Sequence, residues 1–85
     1  MKEFKYVITD SQGIHARPAG FLASKAKTFI CDVQIGKDGK MVDAKHILGI
    51  MGLGIKFGQG ITVTAEGKDE DTAIRALAAF LKTEL

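Results

Sequence analysis

Apolar and polar residues alternate from Phe4 to Thr9, with Phe4, Tyr6 and Ile8 on one side and Lys5, Val7 and Thr9 on the other. A period of two predicts a strand with one buried face. Asp10-Ser11-Gln12-Gly13 then reads as a turn. From Ala16 to about Lys27 the period lengthens, and Ala19, Leu22, Ala23 and Ala26 form one helical stripe. Lys25 and Lys27 suit the negative end of that helix, and the small alanines let it lie close to a sheet. Cys31, Val33 and Ile35 alternate with Asp32 and Gln34 as a second strand. Gly36-Lys37-Asp38-Gly39 is a hairpin-type connection into a short third strand, Lys40 to Val42. Ile61, Val63 and Ala65 alternate with Thr62, Thr64 and Glu66 as a fourth. The stripe Ile74, Leu77, Ala78 and Leu81 makes a last helix, opened by Asp69-Glu70-Asp71-Thr72, an acidic start that reads as well capped.

One stretch fits neither period. Ala44 to Gly54 holds Ile47, Leu48, Ile50, Met51 and Leu53 among three glycines. A helix this short cannot bury apolar residues on every side, so some of them are expected to face solvent or a partner, Met51 first because flexible thioethers suit adaptable surfaces. The element order is strand, helix, strand, strand, short helix, strand, helix. It predicts one α+β domain over residues 1–85, a four-stranded antiparallel sheet with helices on one face.

The candidate chemistry lies where the first strand gives way to the first helix, at Gly13-Ile14-His15-Ala16-Arg17-Pro18-Ala19-Gly20. Pro18 suits a first helical turn, whose N–H groups have no internal partner. Asp10 and Ser11 come too early to cap those groups, and Arg17 places a cation at the end of the helix dipole that prefers anions. Such a local conflict tends to mark function, and a bound or covalently held anion resolves it. His15 is the side chain there able to carry a phosphoryl group as a nucleophile. The bland alternatives are a structural or surface histidine at this position, and plain core packing for Ile47 to Leu53. His46 reads as a solvated residue and Cys31 as a small buried hydrophobe.

Composition narrows the field. A net charge of +2 spread over 85 residues, with no basic block and one tyrosine, argues against nucleic acid. The single cysteine excludes an internal disulfide, and no Cys/His spacing suggests a metal site or a cofactor. No run approaches the ~18 apolar residues of a membrane span, and the N-terminus does not resemble a signal peptide, so a cytoplasmic monomer is expected.

The stretch Gly13 to Ala19 resembles the phosphorylation site of HPr, the histidine-containing phosphocarrier family of the phosphoenolpyruvate-dependent sugar phosphotransferase system. Lys45-His46-Ile47-Leu48-Gly49-Ile50-Met51-Gly52-Leu53-Gly54 is similar to that family's second signature. The resemblance spans essentially the whole chain. It implies an open-faced β-sandwich with three helices on one side of the sheet, and a carrier that is not itself an enzyme. It further implies that His15 takes a phosphoryl group on Nδ1 from phosphorylated enzyme I and passes it to a sugar-specific enzyme IIA. Arg17 would contact that group, backbone N–H groups of Ala16 and Arg17 would close the site, and Ile47, Leu48 and Met51 would form the docking surface. Two positions depart from the pattern: His46 stands in place of the usual regulatory serine, and Gly52 in place of a common Ser or Thr. Two rivals stay open, an HPr-like regulatory protein without a kinase-regulated serine and a small module that binds a free anion.

Overall fold

The computed structural model describes residues 1–85. Seven elements follow in the expected order: β1 (Lys2–Val7), α1 (Ala16–Lys27), β2 (Asp32–Lys37), β3 (Lys40–Asp43), α2 (Ile47–Gly52), β4 (Gly60–Glu66) and α3 (Glu70–Glu84). The strands form one antiparallel sheet in the order β1-β4-β2-β3, so β4, late in the chain, becomes central. Its alternation is the cleanest in the sequence for that reason. Ile61, Val63 and Ala65 are buried against the helices, while Thr62 and Thr64 lie on the open face. Val33 and Ile35 of β2 continue the same inward row.

The helices supply the other half of the core. Ala19, Leu22, Ala23 and Ala26 from α1 meet Ala73, Leu77 and Leu81 from α3 above the sheet, in one cluster of 20 buried apolar residues. Burial of that apolar surface, at about 25 cal/mol per Å², is the main force holding the layers together. The result is the four-stranded antiparallel sheet with helices on one face expected from the element order, and the open-faced sandwich that the resemblance implies. The β2–β3 hairpin closes through Asp38 and Gly39, both at positive φ (54° and 83°), the geometry that matches the right-handed twist of the flanking strands.

β1 spans Lys2–Val7 and ends at the Val7–Gly60 pair, two residues short of the expected Thr9, and two further expectations need correction. The short helix occupies only Ile47–Gly52 of the stretch Ala44 to Gly54. Ala44 and Lys45 are consumed in a turn, because the Asp43 carboxylate accepts the Lys45 N–H at 2.9 Å, and Gly54 ends the segment at φ 62°. The second correction is at α3. Asp69 occupies the N-cap position, yet its side chain makes no capping hydrogen bond. Its two carboxylate oxygens accept the N–H groups of Ile30 and Cys31, so it ties α3 to the entry of β2. Glu70 instead reaches back to the Gly67 N–H, at 3.0 Å.

Candidate functional site

The loop between β1 and α1 is held from three sides. Asp10 folds it locally, its carboxylate accepting the Gln12 N–H at 2.8 Å and its carbonyl the Gly13 N–H at 2.9 Å. Gly13 sits at φ 69°, with the Ile55 carbonyl oxygen only 2.4 Å from where a Cβ would stand, so glycine is required for this close approach. Ile14 then donates its N–H to that carbonyl at 3.0 Å and buries its side chain. The last residue of the chain clamps the loop from the far side. The carbonyl of Leu85 accepts the Asp10 N–H at 2.8 Å and the Thr9 hydroxyl at 2.9 Å.

These contacts deliver His15 to the N-cap of α1 in extended backbone geometry, φ −92° and ψ −177°. Its carbonyl accepts the first helical bond, from Ala19, but its side chain caps nothing and the first turn has no acidic residue. Pro18 contributes no N–H, and those of Ala16 and Arg17 donate to no protein acceptor. The open helix end anticipated from the sequence is therefore present. The imidazole is partly exposed, and its Nε2 lies 3.7 Å from Oδ2 of Asp10, longer than a hydrogen bond but within strong electrostatic reach. Arg17 is exposed and engages no carboxylate and no carbonyl. Its one partner is the ring of Phe21, whose centroid lies 5.7 Å from the guanidinium carbon.

His15 and Arg17 line a shallow cleft of about 150 Å³ together with Asp10, Pro18, Phe21 and Glu84. Asp10, Phe21 and Glu84 were missed by sequence reasoning. Phe21 follows Arg17 by four positions and so shares its helix face, a signal that was available. In the sequence Asp10 reads as a turn residue set too early to cap α1. Glu84 arrives from the opposite end of the chain, and nothing local announces it. Chemically, two free N–H groups, a helix dipole and an unpaired guanidinium suit an anion held against the imidazole.

The second candidate group lies beside the first, because α2 packs against α1. Of its apolar residues only Ile50 is buried, while Ile47, Leu48 and Met51 face solvent at 39%, 85% and 40% exposure. Leu48, not Met51, is the most exposed of them. His46 sits at the N-cap of α2 without capping it, exposed, its Nε2 3.5 Å from the Asp43 carboxylate. No three His, Cys, Asp or Glu side chains converge on a common point.

The class of protein these features define is a small open-faced α+β sandwich with a partly exposed imidazole at an uncapped helix start. The model of the PTS-HPr family, described as the HPr component phosphorylation site, matches residues 2–83. The chain belongs to the HPr family, the phosphocarriers of the phosphotransferase system. It is 43% identical over 81 residues to the phosphocarrier protein HPr of Lysinibacillus sphaericus, covering 95% of this chain and 92% of that protein. It is also 39% identical over 85 residues, the full length of both, to the HPr-like protein Crh of Bacillus subtilis. A crystal structure of HPr-C-His from Thermoanaerobacter tengcongensis superposes with a TM-score of 0.93 at 41% identity, covering 98% of this chain and 93% of that one.

Proposed function

We propose that the chain, acting as one HPr-like unit over residues 1–85, accepts a phosphoryl group on His15 from phosphorylated enzyme I and passes it to a sugar-specific enzyme IIA. The observation that carries this is the open start of α1, where His15 meets two unpartnered backbone N–H groups and an arginine free of any carboxylate. The Asp10 carboxylate favours the tautomer with its proton on the nearer nitrogen, Nε2, which leaves the lone pair on Nδ1. That lone pair attacks phosphorus. The bond from phosphorus to enzyme I breaks, and its electron pair stays with enzyme I. Transfer to enzyme IIA repeats the exchange with His15 as the leaving group. In between, the dianion accepts from the N–H groups of Ala16 and Arg17 and from the guanidinium, each charge-assisted contact contributing about 1.5–3 kcal/mol. The chain is a reactant passed between enzymes and turns nothing over alone. Exposed Ile47, Leu48 and Met51, adjoining α1, form the surface on which both partners dock.

No helix is long and apolar enough to cross a membrane. The proposed exchange with enzyme I and enzyme IIA is that of a cytoplasmic monomer. The full-length match to an HPr-like protein supports a second reading, a regulatory protein that binds its partners without carrying phosphate. Incubation with phosphoenolpyruvate and enzyme I separates the two. An acid-labile mass gain of one phosphoryl group, absent in His15→Ala, is expected. A parent protein that gains no mass, or a His15→Ala variant that does, overturns the carrier function.

A further inference from the structure

Phe21 belongs to the His15 cleft without chemistry of its own: it lines the same wall as Arg17 and Pro18, half exposed, on the first full turn after the open helix start. An aromatic ring left half in water one turn from a reactive centre invites a reason, and the nearest one is Arg17. The guanidinium carbon stands 5.7 Å from the ring centroid, within the range of a cation–π contact. Arg17 has no other partner. Two carboxylates, Asp10 and Glu84, line the same small cleft, yet neither pairs with it.

The choice of partner has a chemical consequence. A carboxylate would take up the planar fork of N–H donors that makes arginine fit for a phosphoryl dianion. A ring face attracts the cation through its quadrupole and consumes no donor. We propose that Phe21 is the positioning residue of Arg17: it holds the guanidinium at the mouth of the His15 cleft, away from Asp10 and Glu84, with its N–H groups free for the incoming phosphoryl group. Restricting a long, flexible side chain beforehand removes part of the ordering that transfer otherwise requires. This role rests on the carrier function proposed above.

The test is single-turnover phosphorylation by phosphorylated enzyme I at saturating enzyme I, so that docking is not limiting. Phe21→Leu is expected to slow the step about two- to fivefold, the size of an exposed cation–π contact expressed as a rate, and Phe21→Tyr to restore it. In an Arg17→Ala background Phe21→Leu is expected to have no further effect, because the ring acts only through the arginine. Before phosphorylation, a ring-current shift of the Arg17 side-chain protons is expected in the parent and not in Phe21→Leu, and its absence from the parent overturns the contact. An unchanged rate in Phe21→Leu, failure of Phe21→Tyr to restore it, or the same slowing in the Arg17→Ala background overturns the positioning role alone. A parent that accepts no phosphoryl group overturns the carrier function, and this role with it.

Discussion

The carboxylate of Asp69 lies on the backbone N–H of Cys31, with Oδ1 2.9 Å from the nitrogen, and joins the start of α3 to the entry of β2 across 38 positions of chain. Its second oxygen takes the Ile30 N–H at 3.0 Å. Two backbone donors that would otherwise lose water without gaining a partner are thereby satisfied. Partial burial works against the charged carboxylate, but hydrogen bonds from the Cys31 thiol and from these two N–H groups outweigh it and hold Asp69 below its ordinary value of 3.8. The same neighbourhood, burial first and Asp69 second, pushes the Cys31 thiol up to about 11.

Acid stability follows from this. A carboxyl that titrates lower in the folded chain than in the unfolded one contributes stability that is fully present above the unfolded value near 4. That stability is lost as pH falls through the folded one. Asp69→Asn is expected to melt lower than the parent at pH 7, and the difference is expected to shrink progressively below pH 4. Glu70, held low by the Gly67 N–H, keeps a residual acid dependence in the variant. Thermal melts of both proteins from pH 7 to pH 2.5 check this. A gap of constant size across that range would show that the Asp69 charge plays no part.

The sequence made some of this legible and hid the rest for identifiable reasons. α1 was readable nearly to its ends, because its apolar stripe, its missing cap and its terminal lysines all agree on a helix from Ala16 to about Lys27. The β4 alternation was equally clear, since a central strand covered on one face leaves the period of two intact. Asp69 misled because an acidic residue before a helix is ordinarily a cap, and only the tertiary placement of Ile30 and Cys31 offers it better donors. Within the site, His15 and Arg17 stood out through a local conflict visible in the eight residues Gly13 to Gly20. Asp10 and Glu84 did not, because what brings them to the cleft is the Leu85 clamp on Thr9 and Asp10, a contact between the two ends of the fold.

Arg17 separates function from stability. It makes no hydrogen bond or ion pair, so Arg17→Glu removes only the contact with Phe21, about 0.5–1 kcal/mol at an exposed site. The new carboxylate suits the positive end of the helix dipole by about 0.3–1 kcal/mol. The two nearly cancel, and the melting temperature is expected to stay within a few degrees of the parent. Phosphoryl transfer is expected to slow tenfold or more, because a carboxylate faces the incoming dianion. Calorimetry alongside a transfer assay decides it, and a large loss of stability with normal transfer would make Arg17 a structural residue.

Leu48 is the sharper probe of the proposed docking surface. At 85% exposure it contributes almost nothing to the core, and Leu48→Glu is expected to leave the melting temperature within a degree or two. Binding to enzyme I and enzyme IIA is expected to weaken by about 2 kcal/mol or more, the signature of a central apolar anchor. Titration calorimetry against each partner measures this. Unaltered binding to both would move the docking surface away from α2.

The last expectation concerns His46, which stands where the resemblance to HPr places a regulatory serine. An ATP-dependent kinase that modifies that serine needs a hydroxyl at the start of α2, and an imidazole supplies none. Phosphoserine there would bring about two negative charges beside Ile47 and Leu48, so its absence leaves the proposed docking surface free of that control. Ser11 and Ser24, in the site loop and on α1, lie outside the motif. The protein is therefore expected to gain no acid-stable phosphate from HPr kinase/phosphorylase and ATP. His46→Ser changes two things at once. It restores an acceptor, and it places a short hydroxyl side chain at an N-cap whose backbone is already extended, φ −118° and ψ 114°, and whose histidine caps nothing. A serine cap typically contributes about 0.5–1 kcal/mol over a residue without one, so the variant is expected to melt slightly higher than the parent. It is also expected to accept phosphate at residue 46. Mass spectrometry of both proteins after incubation with the kinase reads the second effect and a thermal melt the first. Acid-stable phosphate on the parent would overturn the expectation that the histidine closes this route.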